Sequence, residues 1–155
     1  MMASMICAAL LIGLVAGLRA FTAPAIVSWA ASLGMLGTVW GWAHFMQIPY
    51  VAWGFTAFAL VELVTDQLPS TPSRKAPVQF VARILAGGLA GATIGAARTS
   101  LLIGLAAGVI GAVIGTLGGA AARGALAKAF RNDYPAAFLE DVIAIGLGIA
   151  AIQII

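Results

Sequence analysis

Apolar residues occupy five long stretches of this chain, and charged residues, prolines and short polar segments separate them. A bilayer core about 30 Å thick is crossed by roughly 20 apolar residues in a helix. The pattern predicts an all-α integral membrane protein with about five transmembrane helices and a single transmembrane domain over residues 1–155. The predicted helices cover residues 3–33, 50–66, 78–97, 101–130 and 136–152.

The first and fourth stretches are each about 30 residues long, which exceeds one simple span. Arg19 to Pro24 interrupt the first stretch. Pro24 lacks a backbone donor and disfavours helix at Ala23, so a kinked or broken first helix is expected there. The fourth helix, over residues 101–130, is expected to be kinked or broken as well.

Composition restricts the class further, because 63% of the residues are hydrophobic, only 8% are charged and the mean hydropathy is +1.08. A soluble domain carries about 25% charged residues. A soluble enzyme, a nucleic-acid-binding domain and a disordered tail are therefore excluded, and the lipid bilayer is the expected partner. Cys7 and His44 are each the sole residue of their type, so no disulfide, metal site or cofactor is predicted.

The basic residues predict an orientation, since cytoplasmic loops carry an excess of Lys and Arg. Five of the eight lie in residues 68–77 and 123–133, which share one side if helices three and four both cross: Arg74, Lys75, Arg123, Lys128 and Arg131. The opposite side holds only Arg98. The expectation is a multi-pass protein of the bacterial inner membrane with a cytoplasmic N-terminus and an external C-terminus.

Glycines recur at helical spacing in the third and fourth helices. They are Gly87, Gly91 and Gly95, then Gly104 and Gly108, then Gly111, Gly115 and Gly119. A spacing of four residues places small side chains on one helix face and lets backbones approach closely. The pattern predicts helix packing within the chain, and a homo-oligomer formed through such a face is the sharper alternative.

An internal repeat is a further hypothesis. Residues 11–17 match residues 102–108 at six of seven positions, and each segment opens one of the two overlong helices. Two units, residues 3–66 and 101–153 joined by helix 78–97, would then have opposite orientations. Inverted repeats with broken helices are common in transporters. Chance similarity between Ala-, Leu- and Gly-rich runs is the alternative.

A few charged residues lie within apolar helices, where each costs about 2.5–3.5 kcal/mol on insertion scales. They are Arg19, Glu62, Glu140 and Asp141, with Asp66 four residues beyond Glu62 on the same face. An Arg19–Glu62 pair is geometrically possible if the break near Pro24 brings the two together. A structural ion pair or a polar pathway for a ligand explains them, and the third alternative is snorkelling to the membrane interface, expected most for Asp66, Arg83 and Arg123. Thr22, beside the break, belongs to the candidate pathway.

Three segments resemble the motifs of a family of small bacterial membrane proteins classed as domain of unknown function 4126. The segments are Gly17-Leu18-Arg19-Ala20-Phe21-Thr22-Ala23-Pro24, Glu62 to Pro69 followed by Thr71-Pro72-Ser73-Arg74, and Leu139-Glu140-Asp141-Val142-Ile143-Ala144-Ile145-Gly146. The resemblance covers nearly the whole chain. It implies a multispan inner-membrane protein and adds weight to Arg19, Glu62, Asp66, Arg74, Glu140 and Asp141 as a set, without implying a substrate.

A shorter segment, from Glu62 to Thr71, looks like the acidic motif of undecaprenyl-diphosphate phosphatases. That resemblance implies Glu62 and Asp66 as ligands of a divalent cation and Arg74 as a phosphate-binding residue. The chain is about half the expected length for that family, and the motif occurs once.

Three functions follow. The leading hypothesis is a transporter or channel for a small solute or ion, with a site built from Arg19, Glu62 and Glu140 or Asp141. The alternatives are a membrane-embedded enzyme acting on a lipid phosphate and a structural membrane subunit.

Overall fold

The computed structural model describes residues 1–66, 76–98, 100–130 and 133–155. All regular secondary structure in these ranges is helical and no strand occurs in them, as predicted. The described ranges contain six α-helices and one 3-10 helix. They are α1 (Met2–Leu18), α2 (Thr22–Ser32), the 3-10 helix Gly41–Gln47, α3 (Pro49–Thr65), α4 (Pro77–Ala97), α5 (Leu101–Phe130) and α6 (Asp133–Gln153).

The later helices begin and end close to the predicted residues. Pro49 opens α3 and Pro77 opens α4, each in the first helical turn. Proline is well tolerated there, because the backbone donors of that turn have no partner within the helix. One alternative is excluded: α5 is a single helix of 30 residues and is not broken, whereas the predicted kink stays a prediction.

The first apolar stretch is broken as predicted, but the break precedes Pro24. α1 ends at Leu18, and α2 begins at Thr22. Pro24 is the third residue of α2, where its missing N–H removes no helical hydrogen bond. The chain changes direction at Arg19–Phe21, which we call the hairpin apex.

α1 runs in the same direction as α5. A Cβ built on Gly13 would meet the backbone of Gly108, and one built on Gly17 would meet that of Ala112 and Thr116. The start of α1 therefore lies beside the start of α5. We call this the terminal end of the bundle, where Met1, Arg98 and Ile155 line one cavity and Arg98 Nη2 donates to Ile155 O at 2.6 Å.

After the hairpin apex, α2 turns back toward the terminal end. Phe21 stacks on Phe58 of α3. Eight residues further along α2, Trp29 Nε1 donates to Thr56 Oγ1, which lies earlier on α3 than Phe58. α2 thus runs antiparallel to α3, which descends from the terminal end to Thr65. α1 and α2 form a helical hairpin that enters and leaves the bundle at the terminal end.

The hairpin changes the predicted topology. Three described helices are long and apolar enough to cross a membrane, α4, α5 and α6, and a fourth span results if the 3-10 helix and α3 are counted together. Five spans are not confirmed. Residues Met1 and Ile155 lie at the same end of the bundle, which contradicts the expectation of termini on opposite sides. Because α1 and α5 are parallel, the structure does not support an inverted repeat either.

Glycines join α1, α4 and α5 into one closely packed unit, which we call the glycine seam. A Cβ on Gly104 would overlap the carbonyl oxygen of Gly91, and a Cβ on Gly111 would overlap that of Leu10. Seven of the eight predicted packing glycines approach another helix of the same chain in this way, and Gly119 is buried. Gly13 and Gly17 of α1 complete the seam and were not predicted. The homo-oligomer stays a prediction.

Large apolar side chains cover the outside of the bundle, as expected for a protein surrounded by lipid. Examples on α3, α5 and α6 are Phe58, Val61, Leu102, Ile110 and Val142. The buried core, by contrast, consists mostly of alanine, with a few valine, isoleucine, leucine and methionine side chains.

Candidate functional site

Seven charged side chains, one from the hairpin apex and six from α3, α4, α5 and α6, meet around the apex, and we call them the charged cluster. They are Arg19, Glu62, Asp66, Arg83, Arg123, Glu140 and Asp141. The side chains of Arg19 and Arg83 are each only 1% exposed. Three cations and four anions give the cluster a formal charge of −1, and burial of such groups is tolerated only when they are paired.

Glu62 of α3 binds the start of α2. Ala20 N donates to Glu62 Oε1 at 2.7 Å, and Phe21 N donates to Glu62 Oε2 at 2.9 Å. The first backbone N–H groups of a helix have no partner within it and carry partial positive charge. The buried carboxylate therefore satisfies the N-cap donor of α2, Phe21 N, and the preceding apex donor, Ala20 N, and it lies where the helix dipole favours an anion.

Arg83 of α4 performs the converse task at the end of α1. Its Nη1 donates to Gly17 O at 3.1 Å and to Leu18 O at 2.7 Å. The last carbonyl groups of a helix are unpaired and carry partial negative charge, which a cation stabilises. Arg83 Nη2 also lies 3.7 Å from Glu62 Oε1. One ion pair thus holds both broken helix ends of the hairpin apex.

Arg19 lies at the hairpin apex itself and joins two further helices. Its Nη1 donates to Asp66 Oδ2 at 2.6 Å, which links the apex to the end of α3. Its Nη2 forms an ion pair with Asp141 Oδ1 of α6. The predicted Arg19–Glu62 pair is replaced by these two contacts, although Glu62 binds the backbone directly beside Arg19.

The third arginine of the cluster, Arg123, is more exposed than the other two. Arg123 Nη1 of α5 lies 3.7 Å from Glu140 Oε2, and its Nη2 donates to Asp66 O at 3.4 Å. Adjacent residues of a helix point about 100° apart, so Glu140 and Asp141 engage different arginines. The acidic pair of α6 thereby contacts both sides of the cluster.

The charged cluster lies within the depth of the bundle. Arg83 is 14 residues from the end of α4 at Ala97, which corresponds to about 21 Å of helix. Asp141 is 12 residues from the end of α6 at Gln153, about 18 Å. Both distances place the cluster beyond the midpoint of a 30 Å apolar layer that starts at the terminal end.

A cavity of about 280 Å³ extends from the cluster toward the terminal end, between α2, α3 and α6. Arg19, Thr22 and Asp141 line its deep end, and we call this cavity the lipid-facing groove. Its remaining lining residues are Ala25, Ile26, Trp29, Thr56, Ala59, Leu60, Leu63, Ile145 and Ile149. Leu60, Ile145 and Ile149 are also exposed on the outer surface, so the groove is open on its side.

A comparison with protein families supports the resemblance noted from the motifs. The family model described as domain of unknown function DUF4126 matches residues 6–154, nearly the whole chain. The chain belongs to the DUF4126 family. No curated protein and no solved structure matches. Every member of the charged cluster lies within the matched residues.

Most of the pathway residues predicted for this DUF4126 chain come together in the structure. Arg19, Thr22, Glu62, Asp66 and Asp141 surround the hairpin apex or line the groove beside it, and Glu140 contacts the outer arginine. Arg74 lies outside the described residues. Among the residues that are described, no group of His, Cys, Asp and Glu suited to a metal ion occurs.

Sequence reasoning missed Arg83 and Arg123 as members of the site, because it expected both side chains to reach the membrane interface. A signal existed for Arg83, because it is the seventh residue of α4 and so lies about 9 Å inside that helix. Its 1% exposure shows that it does not reach the interface. The α1 carbonyls that Arg83 binds become available only when the hairpin forms.

Proposed function

We propose that this DUF4126 protein is a transporter or channel for a small solute or ion, with the charged cluster as its central site. The observation that carries the proposal is the meeting of seven charged side chains at a break between two helices, deep within apolar surroundings. Broken helices at membrane depth are tolerated where they are buried in protein or line a cavity, and transporters commonly place their sites there.

Two parts of the cluster have different tasks in this proposal. Glu62 and Arg83 bind the backbone of the hairpin apex and fix its position. Arg19 and Asp141 contact each other and line the groove, so their ion pair is the one that a passing solute meets. The conformation seen is closed, with Arg19 held by Asp66 and Asp141. Conduction requires Arg19 to release one of these carboxylates.

The topology in this proposal has four spans, α3 to α6, and a hairpin of α1 and α2 that enters from the terminal end. The end opposite the terminal end carries Arg123 and Lys128. Residues 74 and 75, between α3 and α4 in sequence, are also basic. By the positive-inside rule that end faces the bacterial cytoplasm. Met1 and Ile155 then both lie on the external side of the inner membrane.

Ion flux through purified protein in liposomes tests the proposal. We expect flux above that of empty vesicles for at least one of H⁺, Na⁺, K⁺, Cl⁻ and phosphate. Asp141→Asn removes the charge that faces Arg19 and should lower this flux tenfold or more. Lys128→Gln, which removes an exposed charge of α5 outside the cluster, should leave it within twofold.

Two results would contradict the proposal. One is the absence of flux for every ion, although the wild-type protein is folded, intact and inserted into the liposomes. The other is equal flux for wild type and Asp141→Asn. Thermal unfolding of both variants in detergent provides the control that separates loss of transport from loss of structure.

The geometry favours the pathway over the lipid-phosphate enzyme. Both oxygens of Glu62 accept backbone N–H groups, and Asp66 accepts from Arg19. Both oxygens of Glu62 and Oδ2 of Asp66 are therefore already engaged in this conformation, which disfavours the divalent-cation site that the phosphatase resemblance implied.

A further inference from the structure

The four carboxylates of the charged cluster do not depend equally on Arg19. Glu62 accepts two backbone N–H groups and lies 3.7 Å from Arg83. Glu140 lies 3.7 Å from Arg123. These two carboxylates therefore keep a cation beside them when Arg19 moves.

Asp66 and Asp141 are the two carboxylates that Arg19 holds, and they differ in their other partners. Asp66 Oδ2 lies 2.6 Å from Arg19 Nη1 and 3.7 Å from Arg83 Nη2. Asp141 forms an ion pair with Arg19, and no other described cation lies within ion-pair distance of it. Release of Arg19 therefore leaves Asp66 paired and Asp141 alone.

A carboxylate left alone at this depth needs a new positive charge. Removing one partner of a buried ion pair is strongly unfavourable, because the remaining charge is uncompensated. The conduction step, in which Arg19 releases a carboxylate, thus requires a cation to replace it at Asp141. The side chain of Asp141 is 11% exposed, against 1% for Arg19, and it lines the lipid-facing groove. The carboxylate is the part of the pair that an incoming cation reaches.

The surroundings of Asp141 suit a proton better than a metal cation. Metal cations are held by several oxygen ligands, whereas a proton needs one carboxylate oxygen. Besides Asp141, the groove offers two side-chain oxygens, those of Thr22 and Thr56. Thr56 Oγ1 already donates to Ala52 O and accepts from Trp29 Nε1. One remaining hydroxyl does not complete the ligand shell of Na⁺ or K⁺.

The charges around Asp141 also accommodate one proton. The groups that face it are Arg19 of the hairpin apex, Asp66 of α3 and Glu140 of α6 itself, and α5 adds Arg123 beside Glu140. The helices α1 and α2, which also pack against α6, contain no acidic or basic residue. One bound proton brings the charged cluster from a formal charge of −1 to zero, and intramembrane carboxylates commonly serve as proton relays.

We infer that the proton is the ion that this protein conducts and that Asp141 is the residue that binds it. The proton adds to a carboxylate oxygen of Asp141, the neutral carboxyl group releases the guanidinium, and Arg19 stays paired with Asp66. Departure of the proton restores the ion pair between Arg19 and Asp141. This inference rests on the proposed transport function and names its substrate.

Proton flux into liposomes tests the substrate. A K⁺ diffusion potential set by valinomycin drives the flux, and a trapped pH-sensitive dye reports it. We expect proton flux tenfold or more above that of empty vesicles, with flux of Na⁺, Cl⁻ and phosphate at the empty-vesicle level. Asp141→Asn should lower proton flux tenfold or more, and Asp141→Glu, which keeps a carboxylate, should restore part of it. Lys128→Gln, an exposed control, should stay within twofold of wild type.

Infrared difference spectroscopy locates the proton without measuring transport. Between pH 8 and pH 4, wild-type protein in lipid should gain the C=O stretching band of a protonated carboxyl group shielded from solvent. Asp141→Asn should lack this band. Glu140→Gln, which alters the neighbouring acid that lies beside Arg123, should retain it.

The outcomes separate this inference from the function on which it rests. Flux of another ion without proton flux would overturn the inference and leave the transporter proposal standing. A protonated-carboxyl band that persists in Asp141→Asn, or is lost only in Glu140→Gln, would assign the proton to another residue and overturn it as well. Absence of flux for every ion contradicts transport itself. Thermal unfolding of each variant verifies that the protein measured is folded.

Discussion

The two sides of the bundle solve the problem of packing in lipid differently. On the side of α1, α4 and α5, glycines bring backbones together, and a single added methyl group would meet a carbonyl oxygen. On the side of α2, α3 and α6, larger side chains meet, ion pairs join the helices and a groove of about 280 Å³ is left. The hydrophobic effect does not favour helix association within lipid, so packing and polar contacts hold the helices together. We therefore expect the side with close backbone contacts to be rigid and the side held by side chains and ion pairs to have exchangeable contacts.

Substitution within the glycine seam should have the largest effect. In Gly108→Leu the new side chain has to displace the backbone of Gly87, so we expect a loss of more than about 3 kcal/mol in the free energy of unfolding. Thermal unfolding in detergent, followed by size-exclusion chromatography, measures it.

A matched control lies further along the same helix. Gly118→Leu meets nothing within 4 Å and should leave stability unchanged or raise it by up to about 1 kcal/mol, because leucine favours helix over glycine. Equal stability of the two variants would contradict the description of the seam as the rigid side.

Removal of the carboxylate at the hairpin apex should have the next largest effect. Glu62→Ala leaves Ala20 N and Phe21 N without an acceptor and removes the anion beside Arg83, so we expect a loss of about 3–5 kcal/mol. Glu62→Gln retains one oxygen acceptor and should lose less. Val61→Ala, which shortens an exposed neighbour, is the control, and an equal loss there would exclude a special role for Glu62.

The outer ion pair should give the smallest effect. Arg123 and Glu140 are 3.7 Å apart and Arg123 is partly exposed. A double-mutant cycle with Arg123→Gln and Glu140→Gln should therefore yield a coupling energy of about 1 kcal/mol or less. The same cycle for Arg19 and Asp141 should yield a clearly larger value. The reverse order would show that the outer pair, and not the groove pair, holds α6 in place.

The helices could be located from sequence because their limits depend on local chemistry. Prolines at 49 and 77 and the charged segment around Arg98 end apolar runs, and the structure begins or ends its helices at these positions. The glycine spacing predicted which faces pack, because close approach requires small residues whatever the partner helix is.

The path of the chain could not be obtained in the same way. Counting basic residues presumes that each apolar stretch crosses the membrane once, and residues 3–33 instead go in and return. The partners of Glu62 were hidden for a related reason. They are backbone groups of Ala20 and Phe21, which have no side-chain signature, and they become available only because the helix ends there.

The ion pair between Arg19 and Asp141 also sets an order of assembly. Arg19 belongs to the first hairpin to be synthesised, whereas Asp141 lies in the last helix. Until α6 is inserted, the contacts of the Arg19 guanidinium offset only part of the free-energy cost of removing it from water. Insertion of the final helix therefore completes the ion pairs of the first hairpin. A truncated chain that lacks α6 would leave Arg19 without Asp141, and quality control that recognises unpaired charge within the membrane would detect it.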